Sequence, residues 1–143
     1  MTGDASGDGP SGAPRPSDHD VGRPVALSAV TLHVADMARA AAFYDALGFT
    51  RLYGGPEEDF TSYALGGAYL NLMRDPRAAD STGPRPWGRV IVHVDDVDAM
   101  HRRVLEIGAA PHDEPRDAPW GERFFHVNDP DGHELSFARP LAG

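Results

Sequence analysis

The chain has 143 residues, of which 41% are hydrophobic, and its 22 acidic and 13 basic residues give a formal net charge of −9. That length sets one domain with a buried core as the expectation. No apolar run approaches the ~18 residues of a membrane helix, and an acidic chain without a basic stripe cannot neutralise nucleic-acid phosphates.

The basic residues are all Arg, and Cys is absent, which excludes disulfides and thiolate metal sites. The start of the chain lacks the basic and apolar segments of a secretory signal, so a cytoplasmic protein is expected. The acidity serves solubility or steers a cationic ligand.

In chain order, residues 1–24 hold five Gly, four Pro and three Ser. Such a segment buries too little apolar surface to offset its ordering entropy, which predicts a disordered tail ahead of a single domain over 25–143. "VALSAVTLHV" alternates, with Val30, Leu32 and Val34 on one side and Ala29, Thr31 and His33 on the other, as in a half-buried strand. In "DMARAAAFYDALGF", Asp36 is placed to cap a helix. Ala41, Phe43, Tyr44 and Leu47 follow helical spacing, and Gly48 ends it. "FTSYAL" and "AYLNLM", parted by Gly66 and Gly67, read as a hairpin.

The pattern then repeats. "VTLHVADMARAAAFYDALGF" (30–49) aligns without a gap on "VIVHVDDVDAMHRRVLEIGA" (90–109), with Val30/Val90, His33/His93, Val34/Val94, Asp36/Asp96 and Gly48/Gly108 identical. A second hairpin closes the repeat in "ERFFHVNDPDGHELSFA". Two βαβββ-like modules are predicted, about 26–75 and 88–140, with a Pro- and Arg-rich linker over 76–87. "DPDG" (129–132) reads as a turn in which Asp129 accepts backbone bonds, Pro130 sets φ and Gly132 permits a positive one.

Three stretches, "LHVADMARAAAFYDALGF", "VIVHVDDVDAM" and "WGERFFHVNDPDGHELSF", make roughly residues 26–140 resemble the vicinal oxygen chelate superfamily. This superfamily includes glyoxalase I, extradiol dioxygenases and bleomycin-resistance proteins. The resemblance implies an α+β fold, with two βαβββ modules forming a curled mixed sheet around a cavity. It also implies four metal positions, two near the starts of the modules' first strands and two on their last strands. Here these fall on Ala29, Arg89, Asn71 and Ser136. Where metal-dependent members carry His or Gln, Glu, His and Glu, this chain has a methyl group, a permanent cation and two weak neutral donors. No metal at these positions and no other cofactor is the expectation.

Strand parity within that fold places Tyr69, Met73, Ile91 and Phe125 on the cavity face, together with Glu134 and Ser136, while Leu135 and Phe137 face the helices. His33 and His93 occupy equivalent inward positions, as pocket-lining polar groups, as an acid/base couple or as part of a shifted metal site. Trp87 and Trp120 serve as stacking platforms or as packing at the sheet edge. Arg89 is suited to hold a carboxylate or to pair with Glu134 or Glu122.

The expected ligand-binding set is therefore His33, Tyr69, Asn71, Trp87, Arg89, Ile91, His93, Trp120, Phe125, Glu134 and Ser136, with a planar or aromatic organic molecule between Trp87, Trp120 and Phe125 and His33 and His93 hydrogen-bonding below it. The leading expectation is a metal-free protein that sequesters an aromatic or cationic organic compound, as antibiotic-resistance members do. The resemblance adds a homodimer with shared cavities, and the charge and hydropathy pattern leaves no nucleic-acid or membrane partner expected. The alternative is an enzyme of the same fold, lyase, isomerase or dioxygenase-like, using His33 or His93 or a relocated metal site.

Overall fold

A computed structural model describes residues 22–80 and 87–142. The tail expected over 1–24 lies outside the described residues except for its last three, and so do residues 81–86 of the expected linker.

Each module begins with the strand and capped helix that its sequence calls for. Strand β1 (Ala29–Val34) leads into α1 (Met37–Ala46), and β5 (Arg89–His93) into α2 (Val97–Glu106). Asp36 accepts the Arg39 N–H at 3.1 Å and Asp96 accepts the Ala99 N–H at 3.0 Å, so both helices start on a side-chain cap. Both end just before a glycine at positive φ, Gly48 at 89° and Gly108 at 85°, a backbone conformation that strains any residue with a side chain.

Three further strands complete each module: β2 (Thr50–Tyr53), β3 (Phe60–Leu65) and β4 (Ala68–Arg74) in the first, β6 (Arg116–Asp117), β7 (Glu122–Asn128) and β8 (Glu134–Pro140) in the second. A 3-10 turn over Pro76–Asp80 follows β4. The result is two four-stranded mixed sheets, ordered β1-β4-β3-β2 and β5-β8-β7-β6, with β1 and β5 as edge strands. The fold is α+β, and its two βαβββ units match the repeat. β1 pairs in parallel with β4 (Ala29 opposite Tyr69, Thr31 opposite Asn71), and β5 with β8 (Arg89 opposite Glu134, Ile91 opposite Ser136).

The two sheets share one core. Leu32, Val34, Leu70, Leu72 and Tyr63 of the first sheet join Val92, Phe125, Val127, Leu135 and Phe137 of the second and residues of both helices. Phe49 meets Phe137 edge-on, at 6.3 Å between ring centroids, which locks the modules to each other. Among the described residues no helix is long and apolar enough to cross a membrane.

The 129–132 turn is a structural device. Gly132 sits at φ 86°. Asp129 Oδ1 accepts the N–H groups of Asp131 (2.9 Å) and His133 (2.8 Å), while its Oδ2 accepts the Tyr44 hydroxyl at 2.7 Å. Asp131 Oδ1 accepts the Ala35 N–H at 2.8 Å. The buried carboxylates of the second module's hairpin thus fasten the first module's helix, Asp131 just before its start and Asp129 through Tyr44. Burial pushes the Asp129 carboxyl above its ordinary range and the Tyr44 hydroxyl well above its own.

Candidate functional site

Alternation along the strands leaves one face of each sheet turned away from the core. On the first sheet this outer face carries Ala29, Thr31, His33, Tyr69, Asn71 and Met73. On the second it carries Arg89, Ile91, His93, Glu122, Phe124, His126, Glu134 and Ser136. Tyr69 is 46% exposed, Ile91 60% and Trp120 69%, high values for large apolar side chains.

Phe125 departs from the expectation. It is fully buried on the helix side, against Phe137 (centroids 5.6 Å) and edge-on to His101 (5.0 Å). Directly opposed residues of antiparallel strands share a face. The register sets Phe125 opposite Phe137 and Val127 opposite Leu135, so Glu122, Phe124 and His126 take the outer face instead. The parity of β8 places Phe137 on the helix side, but only the register sets Phe125 beside it.

The two tryptophans also fail to form one clamp. Each precedes a strand by two residues, but β5 runs parallel to β8 and β7 antiparallel to it. Trp87 therefore stands where β8 begins, with its indole N–H donating to His133 Nδ1 at 3.3 Å. Trp120 stands where β8 ends. β7 alone spans seven residues, about 20 Å of strand, so one small planar molecule cannot bridge them.

The same register divides the polar groups between two ends. At the Trp120 end, His93 Nε2 lies 3.1 Å from Glu122 Oε2, and the Trp120 indole donates to Glu122 Oε1 at 3.1 Å. Trp120 also leans over Phe124, at 5.6 Å between centroids and 31° between planes. Ala118, Phe124 and Ala138 form a small buried apolar cluster there. A groove of about 420 Å³ opens between edge strands β1 and β5, lined by Ala29, Tyr69, Ile91 and His93 among others, and His93 is its link to Glu122. Two larger depressions, about 560 and 630 Å³, flank the 129–132 turn on the helix side, away from the expected site residues.

At the Trp87 end, Arg89 Nε donates to Glu134 Oε2 at 3.1 Å, and His126 Nδ1 lies 3.4 Å from the same oxygen. His112 Nε2 is 3.0 Å from Asn128 Oδ1. Partial burial, and secondarily the Arg89 cation, pull the His126 imidazole below its ordinary pKa and favour its neutral form. Sequence reasoning did not single out His112 and His126, because their approach depends on a loop returning to β7.

On the first sheet, His33 Nδ1 is 2.9 Å from Asp75 Oδ2. The Asp75 carboxyl is pulled down to about 2, first by the Arg77 side chain and backbone, with His33 contributing less. Asn71 donates to Thr31 Oγ1 at 3.3 Å. His33 and His93 are equivalent in the repeat but are not brought together. The His33 carbonyl contacts His133 Nε2 at 2.8 Å near the start of β8, whereas His93 opposes Ala138 near its end.

The four superfamily metal positions do not suit a metal. Ala29 has no donor, Arg89 is engaged by Glu134, Asn71 binds Thr31, and Ser136 is a buried hydroxyl.

Comparison with known proteins agrees with the fold. A family profile described as "Glyoxalase/Bleomycin resistance protein/Dioxygenase superfamily" matches residues 26–137. Among solved structures, TioX from Micromonospora sp. ML1 is 29% identical, with a TM-score of 0.65, 82% of this chain covered and 100% of that one. A glyoxalase/bleomycin resistance protein/dioxygenase from Nocardioides is 24% identical, with a TM-score of 0.64 and 89% and 90% covered. The fosfomycin resistance protein FosX from Listeria monocytogenes is 19% identical, with a TM-score of 0.67 and 83% and 94% covered. Comparison with curated proteins gives no match. With two matching βαβββ units and a profile spanning most of its length, the chain belongs to the glyoxalase/bleomycin resistance protein/dioxygenase superfamily.

Proposed function

We propose that the protein binds a small aromatic or cationic organic compound without using the superfamily's metal positions. The observation that carries this reading is a contrast on one face. The four metal positions hold Ala29, Asn71, Arg89 and Ser136, while the Trp120 end offers an exposed indole and a carboxylate, and His93, which contacts that carboxylate, also lines a mostly apolar groove between β1 and β5. An indole beside Glu122 attracts a planar cation through its π-face and through charge. The groove's 420 Å³ falls within the range of small-molecule sites. The similar fold of FosX, described as a fosfomycin resistance protein, makes antibiotic resistance one role we propose for such binding. A cytoplasmic location and a homodimer that closes each outer face with a second copy belong to the same reading.

A second reading rests on the pairs His93–Glu122 and His33–Asp75, each an imidazole held by a carboxylate as a general base is held. It makes the protein an enzyme of the lyase, isomerase or dioxygenase-like kind.

The test is titration of tryptophan fluorescence with acridine orange, a planar aromatic cation. Saturable quenching that weakens as salt rises is expected. Trp120→Ala should lose stacking of about 0.5–1.5 kcal/mol, a 2- to 12-fold loss of affinity, in addition to burial. Absence of saturable binding by cationic, neutral and anionic aromatic probes alike overturns the binding reading. Turnover of a bound compound, lost in His93→Ala, puts the enzyme reading first.

A further inference from the structure

The Trp87 end of the second sheet carries a different kind of site. Three side chains from three segments converge there. Pro111 forms an isolated bridge with Val127, and the His112 N–H donates to the His126 carbonyl at 2.8 Å. The chain before β6 therefore lies along β7 and sets His112 beside His126, their rings 6.4 Å apart. On the other flank, β8 pairs Ser136 with His126 and Glu134 with Asn128, which brings Glu134 diagonally next to His126 on the same face. One donor atom from each of His112, His126 and Glu134 lies within 4.8 Å of the others. Among the described residues, this is the group of three His or carboxylate side chains that closes to such a distance.

We propose that His112, His126 and Glu134 form a divalent transition-metal site of the zinc type, separate from the superfamily's metal positions. The distances support it. Zinc bonds of about 2.0–2.1 Å in a tetrahedron require ligand atoms about 3.3 Å apart, and His126 Nδ1 lies 3.4 Å from Glu134 Oε2. The donor chemistry supports it too. Two imidazoles and one carboxylate form the open three-ligand set that zinc accepts, with a fourth position left for water or ligand. Calcium and magnesium, which seek oxygen donors, are disfavoured. The side chains of His126 and Glu134 are 17% and 22% exposed, sheltered yet reachable from the open face. Asn128 Oδ1, beside His112, either steadies that ring or adds a weak oxygen donor.

One feature opposes the metal and makes the site testable in both directions. The Arg89 guanidinium occupies the same Glu134 oxygen that faces His126. A metal ion must displace it or share the carboxylate with it, so Arg89 acts as a built-in competitor. Removing it should tighten metal binding, whereas removing a ligand should weaken it.

The experiment uses the full chain stripped with chelator and titrated with zinc alone, followed by calorimetry, and with cobalt alone, followed by its visible absorption. One cation per chain is expected, with the intense visible bands of four-coordinate cobalt. His126→Ala and Glu134→Gln should weaken binding at least tenfold, and Arg89→Ala should tighten it about tenfold. The unfolding midpoint of each metal-free variant is measured alongside. Glu134→Gln is nearly isosteric, so a folding defect in His126→Ala leaves the test intact. Equal affinity in all variants, or octahedral cobalt spectra throughout, overturns the proposal. No organic ligand enters the experiment, so its outcome is independent of small-molecule binding at the Trp120 end.

Discussion

The Tyr44 hydroxyl donates to Asp129 Oδ2 at 2.7 Å, with both residues buried, and this bond joins the first module's helix to the second module's hairpin. Tyr44→Phe removes a donor from a buried carboxylate and should cost about 1.5–3 kcal/mol near neutral pH. The pH dependence has a definite sign. Burial raises the Asp129 pKa, so between the ordinary carboxylate value and the raised one the folded chain keeps a proton that the unfolded chain releases. Stability from this group therefore falls as pH rises through that window. The Tyr44 bond lowers the Asp129 pKa, so Tyr44→Phe raises it further and extends the fall toward neutral pH. Urea denaturation of both proteins at several pH values should show a larger destabilisation near pH 7 than near pH 4 (about the ordinary carboxylate pKa). A constant difference would mean that the carboxylate is not the partner that matters.

The two helices begin and end alike but carry different inner faces. Ala41 is buried in α1, and the residue in register with it in α2 is His101, also buried. Its ring meets Phe125 edge-on at 5.0 Å, and among the described residues its Nε2 has no hydrogen-bond partner. A buried polar atom left without a partner costs about 1–3 kcal/mol. His101→Leu, similar in size and apolar, should therefore raise stability by about 1 kcal/mol, read as a higher urea midpoint with an unchanged slope. A lower midpoint would show that the histidine contributes packing that leucine cannot reproduce. The turn between β7 and β8 is the more demanding element. It requires a positive φ at Gly132, and it sets Asp131 against the Ala35 N–H just before α1 and Asp129 against the Tyr44 hydroxyl, so its acidic residues serve the fold.

Over the whole molecule, the modules meet through their helix-side core and leave both outer faces open. Tyr69, Met73, Ile91, Trp87 and Trp120 are all exposed large side chains. Apolar surface on this scale normally finds cover, and a second copy related by two-fold symmetry would supply it. Light scattering at micromolar concentration should give twice the chain mass, and Ile91→Glu should shift the equilibrium toward monomer. A monomer in the wild type would leave the outer faces to a ligand or another partner. The two ends of the second sheet carry different groups, with Trp120, Glu122 and His93 at one end and the His112, His126 and Glu134 cluster at the other.

Local signals determined much of this from sequence alone. The 60-residue repeat, the two Asp caps and the glycine-ended helices specify both βαβββ units, because cap, period and turn chemistry act within a few residues. The residues at the superfamily metal positions were also legible, since those positions follow from strand motifs. Register across strands was not. Phe125 moved into the core because its face is set by Phe137 opposite it, and Trp87 and Trp120 separated because β5 and β7 run in opposite directions against β8. The His112–His126–Glu134 cluster depends on a loop bonding back onto β7, a pairing of residues far apart in the chain that no local pattern announces. Side-chain alternation is written into each strand, but which strands lie beside each other, and in what direction, is decided by burying both sheets in one core.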